Sequence, residues 1–202
     1  MDAVQVLLRL LVVDLSLPDT TQVELIAHES KRNWRQLHPT ARDQVKNLQE
    51  GLIHDGPLHG RLTRIDSLEE EVELMAAQID EPDVVSVTSR LFDHDGNFVG
   101  HTALMNLHPE GFDDVDSIVR AIREITAGMP GYLLSSGRYY HYYGCQILHS
   151  NEWRRFLAQF LMPCVMVSPR YIGHSLFQGF CAVRLTAADP HKPSVPTLLM
   201  VV

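Results

Sequence analysis

The chain has 202 residues, 45% of them apolar and 21% charged, with a net charge of −8. That length allows one or two domains with a real core, and the negative charge argues against indiscriminate nucleic-acid binding. No stretch reaches the roughly 18 uninterrupted apolar residues of a membrane span. The apolar start is led by Asp2 and broken by Gln5 and Arg9, so it reads as a buried helix or strand and not as a signal peptide. Cys145, Cys164 and Cys181 are widely spaced and odd in number, which fits neither a zinc knuckle nor a disulfide framework, so a cytoplasmic protein is expected.

Residues 1–80 read as a helical N-terminal region. Thr20 or Thr21 is placed to cap a helix running to about Leu37, which His38-Pro39 would break, and Thr40 is placed to cap a second helix through about Leu52. Gly51, Gly56, Pro57 and Gly60 mark a loop. Ser67 and Glu70 have capping-box spacing, and Leu68, Val72, Met75 and Ile79 make one apolar stripe at helical period.

Glu81-Pro82-Asp83 is a breaker, and the pattern beyond it, over 81–202, turns to strands and helices in alternation. Val84–Phe92 and Phe98–Leu107 read as strands joined by a hairpin containing Asp95-Gly96. Asp113 or Asp114 is expected to cap a helix with Val115, Ile118, Val119, Ile122 and Ile125 on one face. A strand pair over 131–136 and 139–148 follows, then a helix started by Ser150 or Asn151 with Trp153, Phe156, Leu157 and Phe160 inward. The remainder reads as an apolar run to Val167, an irregular SPRYIGHSLFQG, a strand FCAVRLTA, a Pro-rich loop and a last strand LLMVV. This order predicts an α+β fold with an antiparallel sheet and packed helices.

The stretch with the clearest chemistry is Gly131 to Tyr143, GYLLSSGRYYHYY. Its Ser135-Ser136-Gly137 turn brings backbone N–H groups together in an anion-attracting nest, with Arg138 and His141 close behind as phosphate partners. The surrounding charge agrees: residues 130–202 carry 6 Lys/Arg against 2 Asp/Glu, whereas residues 1–80 carry 8 against 14. Among Tyr132, Tyr139, Tyr140, Tyr142 and Tyr143, some are expected as a surface platform for bases and the others as core.

From residue 84 onward the chain resembles the catalytic core of the archaeo-eukaryotic primase (primase-polymerase) superfamily, an RRM-like sheet bearing three motifs. The motif that grips the phosphates of an incoming nucleotide, Ser-Gly-x-x-x-His, is matched by Ser136-Gly137-Arg138-Tyr139-Tyr140-His141. The family's paired acids would fall on Asn106 and His108, and its third acid on Ser168, followed by Arg170, His174 and Arg184 as basic residues.

The resemblance implies a primase-like domain that binds a nucleotide or a nucleic-acid end through Ser135, Ser136, Gly137, Arg138, His141, Arg170, His174 and Arg184. It also implies a degenerate centre. Two-metal nucleotidyl transfer needs carboxylates, and Asn106, His108 and Ser168 supply none, so no metal cofactor is expected. Such a chain would be a binding or regulatory component, with a protein partner in a larger assembly. One alternative is an active Mg²⁺- or Mn²⁺-dependent primase-polymerase using Asp93 and Asp95. Another is a protein-interaction module on the same fold.

Overall fold

The computed structural model describes residues 1–29, 40–46, 59–80, 83–187 and 192–202. Trp34, the His38-Pro39 break, the end of the second helix near Leu52, the loop around Gly56 and the Glu81-Pro82 breaker lie outside the described residues. Among the described residues, eight antiparallel strands make one sheet: β1 (Gln22–Glu29), β2 (His59–Arg64), β3 (Asp83–Phe92), β4 (Phe98–Leu107), β5 (Gly131–Ser135), β6 (Tyr140–Leu148), β7 (Ala182–Arg184) and β8 (Thr197–Val201). Their spatial order is β2-β1-β3-β4-β6-β5-β8, with β7 paired to β3. The α+β fold class is therefore as the sequence predicts.

Helices cover both faces. α1 (Ala3–Arg9) starts at an Asp2–Gln5 capping box and continues as a π-helical turn, Leu10–Asp14. Its Val6, Leu7, Leu10 and Leu11 are buried with Leu68, Val72 and Met75 of α3 (Leu68–Gln78) against Leu104, Tyr132 and Tyr143 of the sheet. On the other face, α4 (Val115–Ile125), α5 (Ser150–Leu161) and α6 (Pro169–Gln178) bury Ile118, Ile122, Phe156, Phe160 and Ile172 against Met105, Leu107, Leu133 and Tyr142. The strand alternation that sends Leu104 one way and Met105 the other serves both cores. Each large apolar side chain so buried contributes about 2 kcal/mol. A short α2 (Ala41–Lys46) begins where Thr40 Oγ1 accepts the N–H of Asp43 at 3.1 Å.

Several features differ from the sequence reading, and one is the N-cap of α5, which is His149, its N–H donating to Glu152, and not Ser150 or Asn151. Gln22–Glu29, expected as helix, is strand β1, so the N-terminal region is not wholly helical; β1 and β2 extend the same sheet that 83–202 build. Val23 and Leu25 alternate into the core, and Glu24 binds Arg90 and Thr88 of β3. Cross-strand pairing there outweighs a weak local preference for helix. The irregular segment after Val167 is α6, with Pro169 in its first turn and Gly179 in the left-handed conformation (φ 77°) closing it. The Ser67 capping box is not formed. A 3₁₀ turn over Ile65–Ser67 precedes α3, and Ser67 Oγ donates to Asp66 Oδ1 instead.

The sheet forks at β3. β4 pairs with the C-terminal half of β3, from Arg90↔His101 onward, while β7 pairs with Ser86, Val87 and Thr88 on the N-terminal half. The end of β4 thus leaves β3 and stays with β6, through Asn106↔His141 and Leu107↔Tyr140. The mouth of this fork holds the candidate site.

Candidate functional site

The β5–β6 connection is a four-residue turn. Ser135 pairs with Tyr140, and the N–H of Ser136 donates to the carbonyl of Tyr139 at 2.9 Å. Gly137 has φ 91°, a conformation that favours glycine. One N–H of the expected nest is therefore consumed in closing the turn. Those of Gly137 and Arg138, at its exposed tip, make no backbone hydrogen bond among the described residues.

Strand register brings Asn106 and His108 to this turn. Asn106 lies opposite His141, which lies opposite Leu134. His108 stands just past β4, its N–H bonded to the carbonyl of Met166 at 2.8 Å. Its ring stacks on Tyr139, with centroids 3.9 Å apart and planes within 4°, and the Arg138 guanidinium lies over the Tyr139 ring at 5.3 Å from its centroid. An imidazole and a guanidinium thus both lie against the Tyr139 phenol at the turn. Tyr132, Tyr142 and Tyr143 are buried, which leaves Tyr139 and Tyr140 as the partly exposed tyrosines here.

His141 is only 3% exposed, and its Nδ1 has no hydrogen-bond partner among the described residues. Burial, together with Arg184, Lys192 and His108 nearby, holds its pKa down to about 3, so its imidazole is neutral at physiological pH. The Tyr143 hydroxyl is similarly buried without a partner.

Arg184 crosses the fork. β7 places it opposite Ser86, and its guanidinium donates to the carbonyls of Thr186 (2.8 Å), Ser194 (2.7 Å) and Ser136 (2.5 Å). The 192–194 segment is thereby held over the turn, with Ser194 Oγ 3.3 Å from where a Cβ on Gly137 would stand. Lys192, on that segment, acts electrostatically on His108, His141 and Arg184. Burial and Arg184 lower its pKa to about 8. His108 is pushed down by burial, then by Lys192 and Arg138, and raised slightly by Glu110.

The sequence reading missed Lys192. No local motif marks it within the Pro-rich loop, and its signal was only the positive balance of residues 130–202. Of the residues that reading singled out, Ser135, Ser136, Gly137, Arg138, His141, Asn106, His108 and Arg184 come together at the mouth of the fork. Ser168, Arg170 and His174 belong to α6: Ser168 is its N-cap position, without a side-chain capping bond, and so is not a strand residue. Burial lowers the pKa of Arg170. α6 reaches the end of β4 through the Tyr171 hydroxyl, which stands at the backbone of Asn106. Asp93 and Asp95 lie elsewhere, in the β3–β4 hairpin at the opposite end of β4 from Asn106. Strand rise over β4 makes that separation about 30 Å. Asp93 accepts the N–H groups of Asp95 and Asn97, both at 2.9 Å, and the Asn97 side chain, all of which lower its pKa.

A family model described as AEP-like, archaeo-eukaryotic primase 1D-like, matches residues 65–197. The chain belongs to this family. No curated protein and no solved structure matches it. The span that matches the primase-like family contains α3 through β7, the turn at Ser136, and the Arg184–Lys192 segment, so the whole mouth of the fork lies within it. α1, β1 and β2 precede it, but β1 and β2 join its sheet and α1 packs on one face of it. Among the described residues, no group of three or more His, Cys, Asp or Glu is placed to hold a metal ion, and this includes His108, His141 and His174. No helix among the described residues is long and apolar enough to cross a membrane.

Proposed function

We propose that this primase-like domain binds a nucleotide or a nucleic-acid end by its phosphate at the β5–β6 turn, and does so as a binding or regulatory component without a two-metal centre. The observation that carries this reading is the charge of the fork. Arg184, Lys192 and Arg138 surround Ser136 and His141. The positions where the family's paired acids would fall hold an amide, Asn106, and a half-buried imidazole, His108.

A divalent ion does not fit this donor set. Mg²⁺ and Mn²⁺ prefer carboxylate and other hard oxygen ligands. Here they would meet two cations already short of solvent, and like charges in a poorly hydrated site repel strongly. The same cations favour a phosphate, for which guanidinium and ammonium groups are the standard charge-assisted donors. The placement of Asp93 and Asp95 at the far end of β4, engaged in their own turn, supports leaving them out of the chemistry.

Two measurements test the reading. Nucleotides and short 5′-phosphorylated strands are expected to raise the melting temperature, since a ligand at 100 times its Kd adds about 2.7 kcal/mol. If none does, a protein-interaction role takes its place. Incubation with template, NTPs or dNTPs and Mn²⁺ is expected to give no templated extension. Extension that disappears in Asp93→Ala or Asp95→Ala would replace this reading with an active primase-polymerase.

A further inference from the structure

We infer that Arg184 and Lys192 take the place of divalent ions at this site, so that it holds a terminal phosphate, a phosphomonoester dianion, without any metal. The inference rests on the function proposed above and specifies its ligand.

The geometry begins with Arg184. Three carbonyl oxygens, from Thr186, Ser194 and Ser136, fix its guanidinium at the turn, and none of them carries a formal negative charge. Its positive charge is solvated by dipoles but not neutralised. Lys192 stands on the segment that Arg184 anchors and has no carboxylate partner among the described residues. The charged and titratable groups facing Lys192 are Arg184 from β7, His108 beyond β4 and the neutral His141 from β6. Among the described residues, the acid that acts on this group is Glu110, which is exposed and raises the pKa of His108. Two cations short of water, with no counter-ion among the described residues, are costly, and an anion seated between them removes that cost.

His141 is the independent observation. It is nearly fully buried, neutral, and carries an Nδ1 that finds no partner among the described residues. Buried polar atoms are seldom left so. Arg184, Lys192 and His108 act electrostatically on this ring, and with its proton on Nδ1 the ring is a neutral donor that a phosphate oxygen would satisfy. The unbonded N–H groups of Gly137 and Arg138 add donors at the tip.

Charge selects the ligand class. A phosphodiester brings one negative charge, whereas a phosphomonoester brings about 1.5 to 2 at neutral pH and three acceptor oxygens. Arg184 and Lys192 are two full charges. A terminal phosphate neutralises both, and it leaves no charge for a divalent ion to balance.

The test measures affinity of the full chain by titration calorimetry, in EDTA and again in Mg²⁺. The probes are adenosine 5′-monophosphate, a short 5′-phosphorylated thymidine strand and the same strand with a 5′-hydroxyl. Expected is equal affinity of the phosphorylated probes in EDTA and Mg²⁺, with the hydroxyl strand at least about tenfold weaker. The monophosphate and the phosphorylated strand separate a free nucleotide from a strand end as the source. Lys192→Met is expected to weaken the phosphorylated probes about tenfold or more, and Lys192→Arg to restore them. Binding that appears only in Mg²⁺ overturns the inference and the exclusion of a divalent ion from the site, and leaves phosphate binding by the domain standing. Binding in EDTA that ignores Lys192→Met, or a hydroxyl strand that binds as tightly, overturns the inference and leaves the proposed function standing. Absence of binding in every arm overturns both. Because the comparison of EDTA with Mg²⁺ uses the unaltered chain, the inference can be tested even if a variant misfolds.

Discussion

At the scale of single residues, His141 connects stability to the site. Its folded pKa of about 3 lies below the ordinary value of 6.5, because burial and then Arg184, Lys192 and His108 oppose its protonation. Between these values the unfolded chain takes up a proton that the folded chain refuses. Stability is therefore fully present above pH 6.5 and falls as the pH is lowered through that window. At pH 5 the loss from this one group is about 2 kcal/mol. His101, buried against Trp153 and held near pKa 4 mainly by burial, acts in the same direction, so the two must be separated. His141→Phe keeps the ring and removes the proton site. Urea denaturation at pH 7 and pH 5 is expected to show a smaller drop for this variant than for the unaltered chain. Equal drops would mean that His141 is protonated in the folded state, or hydrated there.

At the scale of elements, the tight packing of β5 beneath β6 holds the turn in place. Gly131 opens β5, and a Cβ there would stand 2.6 Å from both the Tyr142 ring and the Tyr143 carbonyl. The carbonyl belongs to the strand ladder and cannot swing aside. Gly131→Ala is expected to cost about 1–3 kcal/mol in denaturant unfolding and to weaken phosphate binding only through loss of folded protein. A neutral effect would show that β5 can shift without disturbing β6. These two strands, the β3–β4 hairpin and helices α4 and α5 were legible because their signals are local: alternation, Asp-Gly, a capping Asp114 and an apolar face. β1 was not legible, since its strand state depends on β2 and β3, including the Glu24–Arg90 pair from far along the chain. α6 carried end signals in Pro169 and Gly179, but Gly173 and a short apolar stripe obscured its interior. In the site, Ser136 to His141 could be read as a motif. Lys192 could not, because its segment comes to the turn through tertiary contacts, among them the bonds of Arg184 to the carbonyls of Ser194 and Ser136.

At the scale of the whole molecule, the family match begins at residue 65 but the folded unit does not. β1 lies between β2 and β3, and one of the two cores is made jointly from α1, β1, α3 and the central strands. Removing residues 1–64 would uncover Leu91, Leu104, Tyr132 and Tyr143 on that face and leave β3 with an open edge along Asp83–Phe92. Val6, Leu7, Leu10, Leu11, Val23 and Leu25 are all buried. At about 2 kcal/mol for each large side chain, their loss is as large as the roughly 5–15 kcal/mol by which a domain is stable. The fork would suffer as well, since β7 hangs on the same β3 that β1 supports, and Arg184 is positioned from β7. A chain of residues 65–202 is therefore expected to lose cooperative thermal unfolding and near-ultraviolet circular dichroism, and to lose phosphate binding with them. If it melts cooperatively and binds as the full chain does, the first 64 residues are an accessory to the primase-like domain and not part of its core.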